Sequence, residues 1–336
     1  MIELLQDEER WNTFIRLANS NVFHTLEWRN VIQDTFKFKP FYFMSIDDGS
    51  TFGCLPMFAV NSPIFGRRFI SLPFSFAADP LYKDKKVLKE LLTKAKEISK
   101  DSKYLEIRTR EKLPADIVKD FGLNETMDTF LSVLELTDVD TLWKEMDKKH
   151  RNAIRKAEKD GLKVREGTFE DLREYHILKM RLSAKKYGIP SEPLKFYFNL
   201  WGEMASKNMM KLFVAEYNDE IVGGIIVLLY KDEVLYYSGA ADEKYLNLKP
   251  YNLLVWEALK YSLKNKYKTF NFGTSEHKGL LDFKESWGAK SFQIPVYSTS
   301  AAGKAAGYGL FTKIWKKIPT SMSKYVEPFL VKQKGG

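Results

Sequence analysis

The stretch from Lys268 to Lys290, KTFNFGTSEHKGLLDFKESWGAK, predicts both the fold and the chemical centre of this chain. Its alternating aromatic residues, Phe270 and Phe272, are typical of a strand, which then breaks at Gly-Thr-Ser. A short helix is expected from about Gly279 to Gly288, and it carries Lys284. A strand that ends at glycine before a polar loop is how α/β proteins present reactive side chains at the rim of a sheet. The alternative is a surface loop with solvated charges.

The composition indicates a globular protein with room for two domains. The 336 residues are 44% hydrophobic and 14% aromatic, which excludes a disordered chain. Cys54 is the single cysteine, so no intrachain disulfide is possible and a reducing compartment is expected. The acidic N-terminus does not resemble a signal peptide, and no apolar run reaches the roughly 18 residues of a membrane span. We therefore predict a cytoplasmic protein.

The charge of the chain favours anionic partners. A net charge of +9 attracts phosphate esters, RNA or acidic lipid without choosing among them, and nothing points to DNA. The segment 301–336 holds seven lysines and one acidic residue, Glu327, together with regularly spaced apolar residues. It is expected to form a basic amphipathic tail, which either lies on the inner face of a membrane or packs on the protein through its apolar stripe.

The two halves of the chain repeat one order of elements. Each half has two strands around an acidic turn, a third strand, a loop, a helix and a last strand. The second strands contain Gly53 and Gly223, and the last strands are Tyr104 to Arg108 and Thr269 to Gly273. Such a repeat predicts a duplicated α/β domain with mixed, largely antiparallel sheets flanked by helices. The expected division is 1–136 for the first domain, 137–300 for the second and 301–336 for the tail.

This order of elements is similar to the GNAT acyltransferase fold, and its duplication resembles the FemABX peptidyltransferase family. Three motifs carry the resemblance: Trp28 with a following run that ends in GRRFISLPF at 66–74, KKHRNAIRKAEKDGLKV at 148–164, and GLLDFKESWGAK at 279–290. The resemblance implies tandem GNAT-like domains and transfer of an activated acyl or aminoacyl group onto an amine. Fem transferases proper take an amino acid from aminoacyl-tRNA and attach it to a peptidoglycan precursor. The chain is then expected to be a cell-wall aminoacyltransferase with charged tRNA as co-substrate and no tightly bound cofactor.

Two residues are candidates for catalysis. The resemblance places Lys284, the lysine of GLLDFK, near the reacting ester. If its apolar neighbours partly desolvate it, Lys284 offers a fixed positive charge to a developing oxyanion or a tRNA phosphate. A solvated surface lysine is the alternative. His277 is the candidate general base because imidazole titrates near neutrality, although a lone loop histidine is more often not catalytic.

Arginines and aromatic residues are expected to bind the phosphate-bearing envelope precursor. Arg151 and Arg155 are four residues apart, hence on one helical face, and two guanidinium groups there suit a pyrophosphate. A solvated basic face is the alternative. The resemblance places Tyr197 near an acceptor-binding tyrosine, and Trp28 and Arg67 are further candidates for the cleft expected between the domains.

The acyl donor is predicted from the stretch KYLNLKPYN, at 244–252. Ordinary GNAT enzymes hold the pyrophosphate of coenzyme A with a glycine-rich loop at a helix N-terminus, and this stretch has no glycine. That difference favours aminoacyl-tRNA as the donor, with Lys249, Tyr251 and Asn252 as donor-binding candidates. The alternatives are an N-acyltransferase that uses coenzyme A or a carrier protein, and a non-catalytic scaffold for RNA or anionic lipid. No metal is predicted, since the histidines lack metal-ligand spacing.

Overall fold

The computed structural model describes residues 1–183, 190–275, 277–300 and 329–332. Within this part the chain forms two compact units. The first unit comprises 1–128, 294–300 and 329–332, and the second comprises 129–183, 190–275 and 277–293. Apart from 329–332, the predicted tail lies outside the described residues, so its amphipathic character stays a prediction.

The first unit contains most elements of the first half of the chain. In chain order they are β1 (Ile2–Leu4), α1 (Glu8–Leu17), α2 (Leu26–Phe36), β2 (Lys39–Asp47), β3 (Ser50–Ser62), β4 (Gly66–Ile70), β5 (Leu81–Tyr82), α3 (Lys85–Ile98), β6 (Tyr104–Arg108), α4 (Ala115–Asp120) and the start of β7 (Asn124–Glu135). The sheet runs β1-β2-β3-β4-β6, with β5 beside β3, and only its β4–β6 pair is parallel. Asp84 caps α3 by accepting from the N–H of Val87, and the apolar face of this helix is buried.

The second unit repeats this arrangement. Its further elements are α5 (Val139–Glu145), α6 (Lys148–Lys159), β8 (Lys163–Glu166), α7 (Leu172–Leu182), α8 (Leu194–Met204), β9 (Met210–Tyr217), β10 (Glu220–Tyr230), β11 (Glu233–Ala241), α9 (Pro250–Lys264), β12 (Thr269–Ser275), α10 (Lys278–Glu285) and the start of β13 (Lys290–Ser298). The sheet runs β8-β9-β10-β11-β12-β7, and only its β11–β12 pair is parallel. The predicted class, tandem domains with largely antiparallel mixed sheets, is confirmed.

The sequence pattern does not predict two strands, β7 and β13, along which the chain passes from one unit to the other. β7 follows α4 of the first half, and its residues 130–135 pair with β12 in the second unit. β13 follows α10, and its residues 296–298 pair with β6 in the first unit. Each sheet thus includes a strand from the other half of the sequence. The boundaries predicted at 136 and 300 remain a proposal about how the chain is divided.

The spacing of apolar residues predicts one continuous helix from Leu142 to Lys159, and this prediction is wrong because the structure has two helices there. Met146 and Asp147 take extended backbone angles between α5 and α6. The guanidinium Nη1 of Arg151 donates to the carbonyl oxygens of Trp143 at 3.1 Å, Lys144 at 2.9 Å and Met146 at 2.5 Å. A side chain from the next helix therefore satisfies the last carbonyls of α5, which the pattern of apolar residues does not reveal.

Among the helices in the described part of the chain, none has the length and apolar character needed to cross a bilayer.

The close approach of β3 to α3 depends on Gly53. A Cβ atom at residue 53 would lie 2.6 Å from Val87 Cγ1 and 2.7 Å from the carbonyl oxygen of Leu81, which belongs to the strand paired there. Gly53→Ala is therefore expected to lower the free energy of unfolding by about 1–3 kcal/mol, as measured by urea denaturation. Gly202→Ala in α8 is the control, since a Cβ atom at residue 202 would meet no other group within 4 Å. Equal stabilities for the two variants would contradict the prediction.

Candidate active site

The parallel strands β11 and β12 separate part-way along their length. They pair over three residues only, from Glu233 opposite Thr269 to Leu235 opposite Asn271. β11 then continues to Ala241 and β12 to Ser275. Backbone groups that lack a neighbouring strand are available to a ligand, so an extended group can enter this gap and bind to the strand edges.

A bulge in β12 lies at the start of this gap. The register of β12 against β7 shifts between Asn271 and Thr274, and Gly273 has φ +70°, a conformation that favours glycine. The N–H of Gly273 donates to Oδ1 of Asn271 at 2.8 Å. Phe272 and Gly273 therefore lie outside the register of β12 with β7, which resumes at Thr274 opposite Leu131.

Lys284 of α10 binds both of these carbonyls. Its Nζ donates to Gly273 O at 2.9 Å and to Thr274 O at 2.8 Å, and the residue is 4% exposed. Burial lowers the pKa of Lys284 to about 7. Near neutral pH the amine is therefore present in both forms: the protonated form supplies a fixed positive charge and the neutral form is able to accept a proton.

Aromatic packing holds α10 against the body of the second unit. Phe283 and Trp287 contact the core that α9 and the sheet share. The imidazole of His150, on α6, stacks on Trp287 with ring centroids 4.2 Å apart and meets Phe283 edge-on at 5.5 Å. The helix that carries Lys284 is thus packed through three rings.

A chain of hydrogen bonds passes through His150. Nδ2 of Asn252 lies 2.7 Å from His150 Nδ1, His150 Nε2 lies 2.7 Å from Ser286 Oγ, and Ser286 Oγ donates to Phe283 O at 2.7 Å. Burial lowers the pKa of His150 to about 4, so the ring is neutral and has one donor and one acceptor. Asn252 then donates to Nδ1, and Nε2–H donates to Ser286. The sequence pattern indicates only that His150 lacks metal-ligand spacing, and it does not predict this role, although His150 lies beside Arg151 in the second motif.

The donor-binding candidates lie at the N-terminus of α9. Lys249 is exposed and takes φ +62° directly before Pro250, the first residue of the helix. Asn252 is engaged by His150, and Tyr251 is half-buried. Lys249 is the member of this predicted set whose charge faces solvent.

The two predicted arginines of α6 both lie beside Trp143. Nη1 of Arg151 is engaged with the α5 carbonyls, whereas the exposed guanidinium of Arg155 lies over the Trp143 ring at 5.3 Å. They share one helical face, as their spacing predicts. Arg155 is the more accessible to an anion, because the visible contacts of Arg151 cap a helix.

The remaining candidates are placed differently. Tyr197 is fully buried, and its hydroxyl donates to Glu192 Oε2 at 3.0 Å. His277 is exposed at the start of α10, where its backbone carbonyl accepts from the N–H groups of Leu280 and Leu281. Their predicted roles in substrate binding and catalysis remain proposals.

Two further candidates belong to the first unit. Trp28 is buried in its core and packs edge-on against Phe23 with centroids 4.8 Å apart, whereas Arg67 is exposed on β4. No group of three or more histidine, cysteine, aspartate or glutamate side chains in the described residues is placed to hold a metal ion.

Comparison with known proteins agrees with this geometry. Residues 144–285, which include α6, the strand gap and Lys284, match the acetyltransferase (GNAT) domain family. A lipid II:glycine glycyltransferase of Staphylococcus epidermidis is 20% identical over 302 residues, covering 63% of this chain and 72% of that protein. The predicted resemblance to the FemABX family is confirmed.

Solved structures show the same tandem fold. The crystal structure of FemX superimposes with a TM-score of 0.71 and 15% identity, covering 94% of this chain and 100% of FemX. L-PGS from Bacillus licheniformis gives a TM-score of 0.60 at 14% identity, covering 93% of this chain and 98% of that one. The chain thus resembles FemX in fold, and its residues 144–285 resemble the acetyltransferase (GNAT) domain.

The neutral state of His150 predicts a pH dependence of stability. The pKa of His150 is about 4 in the folded protein against 6.5 for the ordinary side chain, so the unfolded chain binds more protons between these values. The stabilisation is therefore complete above pH 6.5 and is lost as the pH falls toward 4, by up to about 3 kcal/mol. The stability curves of wild type and His150→Gln should converge over this interval in urea unfolding.

The matched control for this prediction is His277→Gln, because His277 is exposed. Its curve should run parallel to that of the wild type. Parallel curves for His150→Gln would contradict the assignment.

Proposed function

We propose that this chain transfers an activated aminoacyl group, with aminoacyl-tRNA as donor, onto an amine of a phosphate-bearing cell-envelope precursor such as a peptidoglycan peptide. The observation that carries the proposal is the buried amine of Lys284 on the carbonyls of Gly273 and Thr274, where β11 and β12 separate. It combines a reactive charge with a gap that fits an extended acyl group. The site would act in the cytoplasm.

The reaction follows from the placement of this charge. The substrate amine attacks the carbonyl carbon of the aminoacyl ester, and negative charge develops on the carbonyl oxygen. The protonated amine of Lys284 stabilises that charge. Because the residue is only 4% exposed, the low local dielectric strengthens this electrostatic interaction. The new N–C bond forms as the ester C–O bond breaks, the attacking nitrogen gives up one proton, and the leaving oxygen takes up one proton to become a hydroxyl group.

The choice of donor is supported by the segment before α9. Its Lys249 is exposed at the helix N-terminus, and the segment lacks the glycines by which ordinary GNAT enzymes cradle a pyrophosphate. A lysine at a helix N-terminus is suited to a phosphate of the donor without a close-fitting loop. The related glycyltransferase is, by its name, a protein that acts on lipid II, which favours an envelope precursor as the acceptor.

Parallel transfer assays test the donor. The protein is incubated with charged tRNA, acetyl-coenzyme A and long-chain acyl donors, and transfer to an amine-bearing nucleotide-sugar peptide is followed. We expect transfer from charged tRNA. Transfer from coenzyme A alone would overturn the donor and favour the second candidate, an N-acyltransferase of the GNAT superfamily.

Lys284→Met tests the catalytic role of the buried charge. Loss of a donor to the oxyanion is expected to reduce kcat by about 10²–10³-fold, with little change in tRNA binding. Lys278→Met is the control on the same helix, because Lys278 is 85% exposed and pairs with Asp282. An unaffected kcat in Lys284→Met would contradict the role.

Wild-type activity should also fall above about pH 7 as Lys284 loses its proton, since its pKa is about 7.

A non-catalytic scaffold for RNA or lipid is excluded if Lys284→Met loses turnover while its binding of RNA or lipid is unchanged. Peripheral contact with a membrane through 301–336 belongs to the proposal as well, and those residues lie almost wholly outside the described part of the chain.

A further inference from the structure

The face of the second unit opposite α9 carries a carboxylate surrounded by tyrosines. Glu192 is half-buried, and its Oε2 accepts from the Tyr197 hydroxyl at 3.0 Å. Its backbone carbonyl lies 3.1 Å from Nε2 of His176, whose pKa is lowered by burial. Among the described residues, the titratable side chains that face this carboxylate come from α7, α8 and β11 and are Tyr175, His176, Tyr197 and Tyr237.

These tyrosines remain protonated. Burial, and after it the charge of Glu192, raises the pKa of Tyr175, Tyr197 and Tyr237 well above the ordinary value. Tyr175 and Tyr197 are fully buried and meet edge-on at 5.4 Å. Tyr197 fixes the position of Glu192 through its hydroxyl, while Glu192 and Tyr237 are half-buried and retain some exposed surface.

A bulge joins this cluster to the strand gap. In the β10–β11 pair Ile226 is opposite Ser238 and Val227 is opposite Tyr236, so Tyr237 is an additional residue. Tyr237 and Ser238 both reach the side of α7 and α8. The Tyr237 ring lies 6.1 Å from Phe196, and Ser238 Oγ accepts from the Tyr175 hydroxyl at 2.8 Å.

The bulge follows directly after Leu235, the last β11 residue that pairs with β12. The opposite strand has its own bulge at this level, where Lys284 binds the carbonyls of Gly273 and Thr274. α10 packs with the core on the α9 side, whereas the Glu192 cluster lies on the side of α7 and α8. A fixed positive charge and a carboxylate thus approach the gap from opposite faces of the sheet.

Within the described residues, the second carboxylate oxygen of Glu192, Oε1, accepts no hydrogen bond. A half-buried carboxylate with one oxygen held by a tyrosine and one open is suited to an ammonium group. The Tyr237 ring beside it adds the favourable contact that aromatic faces make with cations. The acceptor of the proposed reaction carries a primary ammonium group, which must lose a proton before its nitrogen can attack. The site is therefore suited to the acceptor.

We propose that Glu192 binds the ammonium group of the acceptor and accepts its proton as the general base, with Tyr197 as a positioning residue. The inference rests on the proposed function. The ammonium gives one proton to the Glu192 carboxylate, and the freed lone pair attacks the ester carbonyl carbon. As the N–C bond forms and the ester C–O bond breaks, the leaving oxygen takes the second proton from nitrogen, and Glu192 later releases its proton to water.

The decisive experiment is the pH profile of kcat/KM for Glu192→Gln, with charged tRNA and a peptide that bears one lysine amine. A general base accelerates such a reaction by about 10²–10⁴-fold, so we expect Glu192→Gln to lower kcat/KM by at least about 100-fold at pH 7. The deficit should shrink about tenfold per pH unit, because an amine with an ordinary pKa of about 10.4 deprotonates in solution as the pH rises. Tyr197→Phe should give a smaller loss that also shrinks as the pH rises, since the carboxylate loses the donor that holds it in position.

Glu174→Gln is the matched control, an exposed carboxylate on α7 that should leave the profile unchanged. Unfolding curves of both variants verify the fold. Activity of Glu192→Gln within twofold of wild type, or a loss that is the same at every pH, would overturn the proposal.

A binding measurement separates this proposal from the proposed function. Calorimetry at pH 7 compares the lysine peptide with its Nε-acetylated form, on wild type and Glu192→Gln. The wild type should prefer the free amine by about tenfold and the variant should not. If no donor supports transfer, the proposed function fails, and an equal preference in the two proteins would then also reject Glu192 as the ammonium site.

Discussion

A lysine amine that is almost removed from water needs acceptors at hydrogen-bond distance, and the architecture around β12 provides them. Lys284 is 4% exposed, and its amine reaches two carbonyls, of Gly273 and Thr274, at the bulge of β12. Gly273 takes φ +70° at this bulge. Burial in turn lowers the pKa of the amine to about 7, so the same geometry that buries the side chain lets it gain or lose a proton near neutral pH.

The position of that amine depends on a neutral imidazole. His150 joins α6 to α9 through Asn252 and to α10 through Ser286, and it stacks on Trp287. A protonated ring would lose the acceptor that Asn252 requires and would place a charge among apolar rings. Burial prevents this by lowering the pKa of His150 to about 4. The helix that carries the reactive lysine is therefore fixed by a histidine that is useful because it does not titrate at neutral pH.

Local patterns predict much of this arrangement, and the features that they miss depend on contacts made only in the folded chain. The strand–glycine–helix order around Lys284 is visible in a short window, as is the apolar face of α3. β7 and β13 are not, because their pairing depends on β12 and β6, which lie far away in the sequence. The break before α6 escaped prediction because Arg151, from the following helix, satisfies the carbonyls there. Glu192 had no signal in the sequence, since the residue of β11 that it faces, Tyr237, becomes its neighbour only through the fold.

The two copies of the repeat differ in the charged group that binds the backbone at the end of the last strand. This difference explains why the chemistry is assigned to the second copy. In the second copy a cation binds strand carbonyls beyond Asn271. In the first copy, the chain after β6 meets a carboxylate: Asp79 accepts from the backbone N–H of Arg110 at 2.7 Å and from its Nε at 2.8 Å. Asp79 also accepts from the N–H of Glu111 at 3.3 Å. Because Asp79 neutralises Arg110, this arginine offers no uncompensated charge to a developing oxyanion. The duplication thus kept the fold in both halves, while the amine on the bulge of β12 distinguishes the second as the candidate site of reaction.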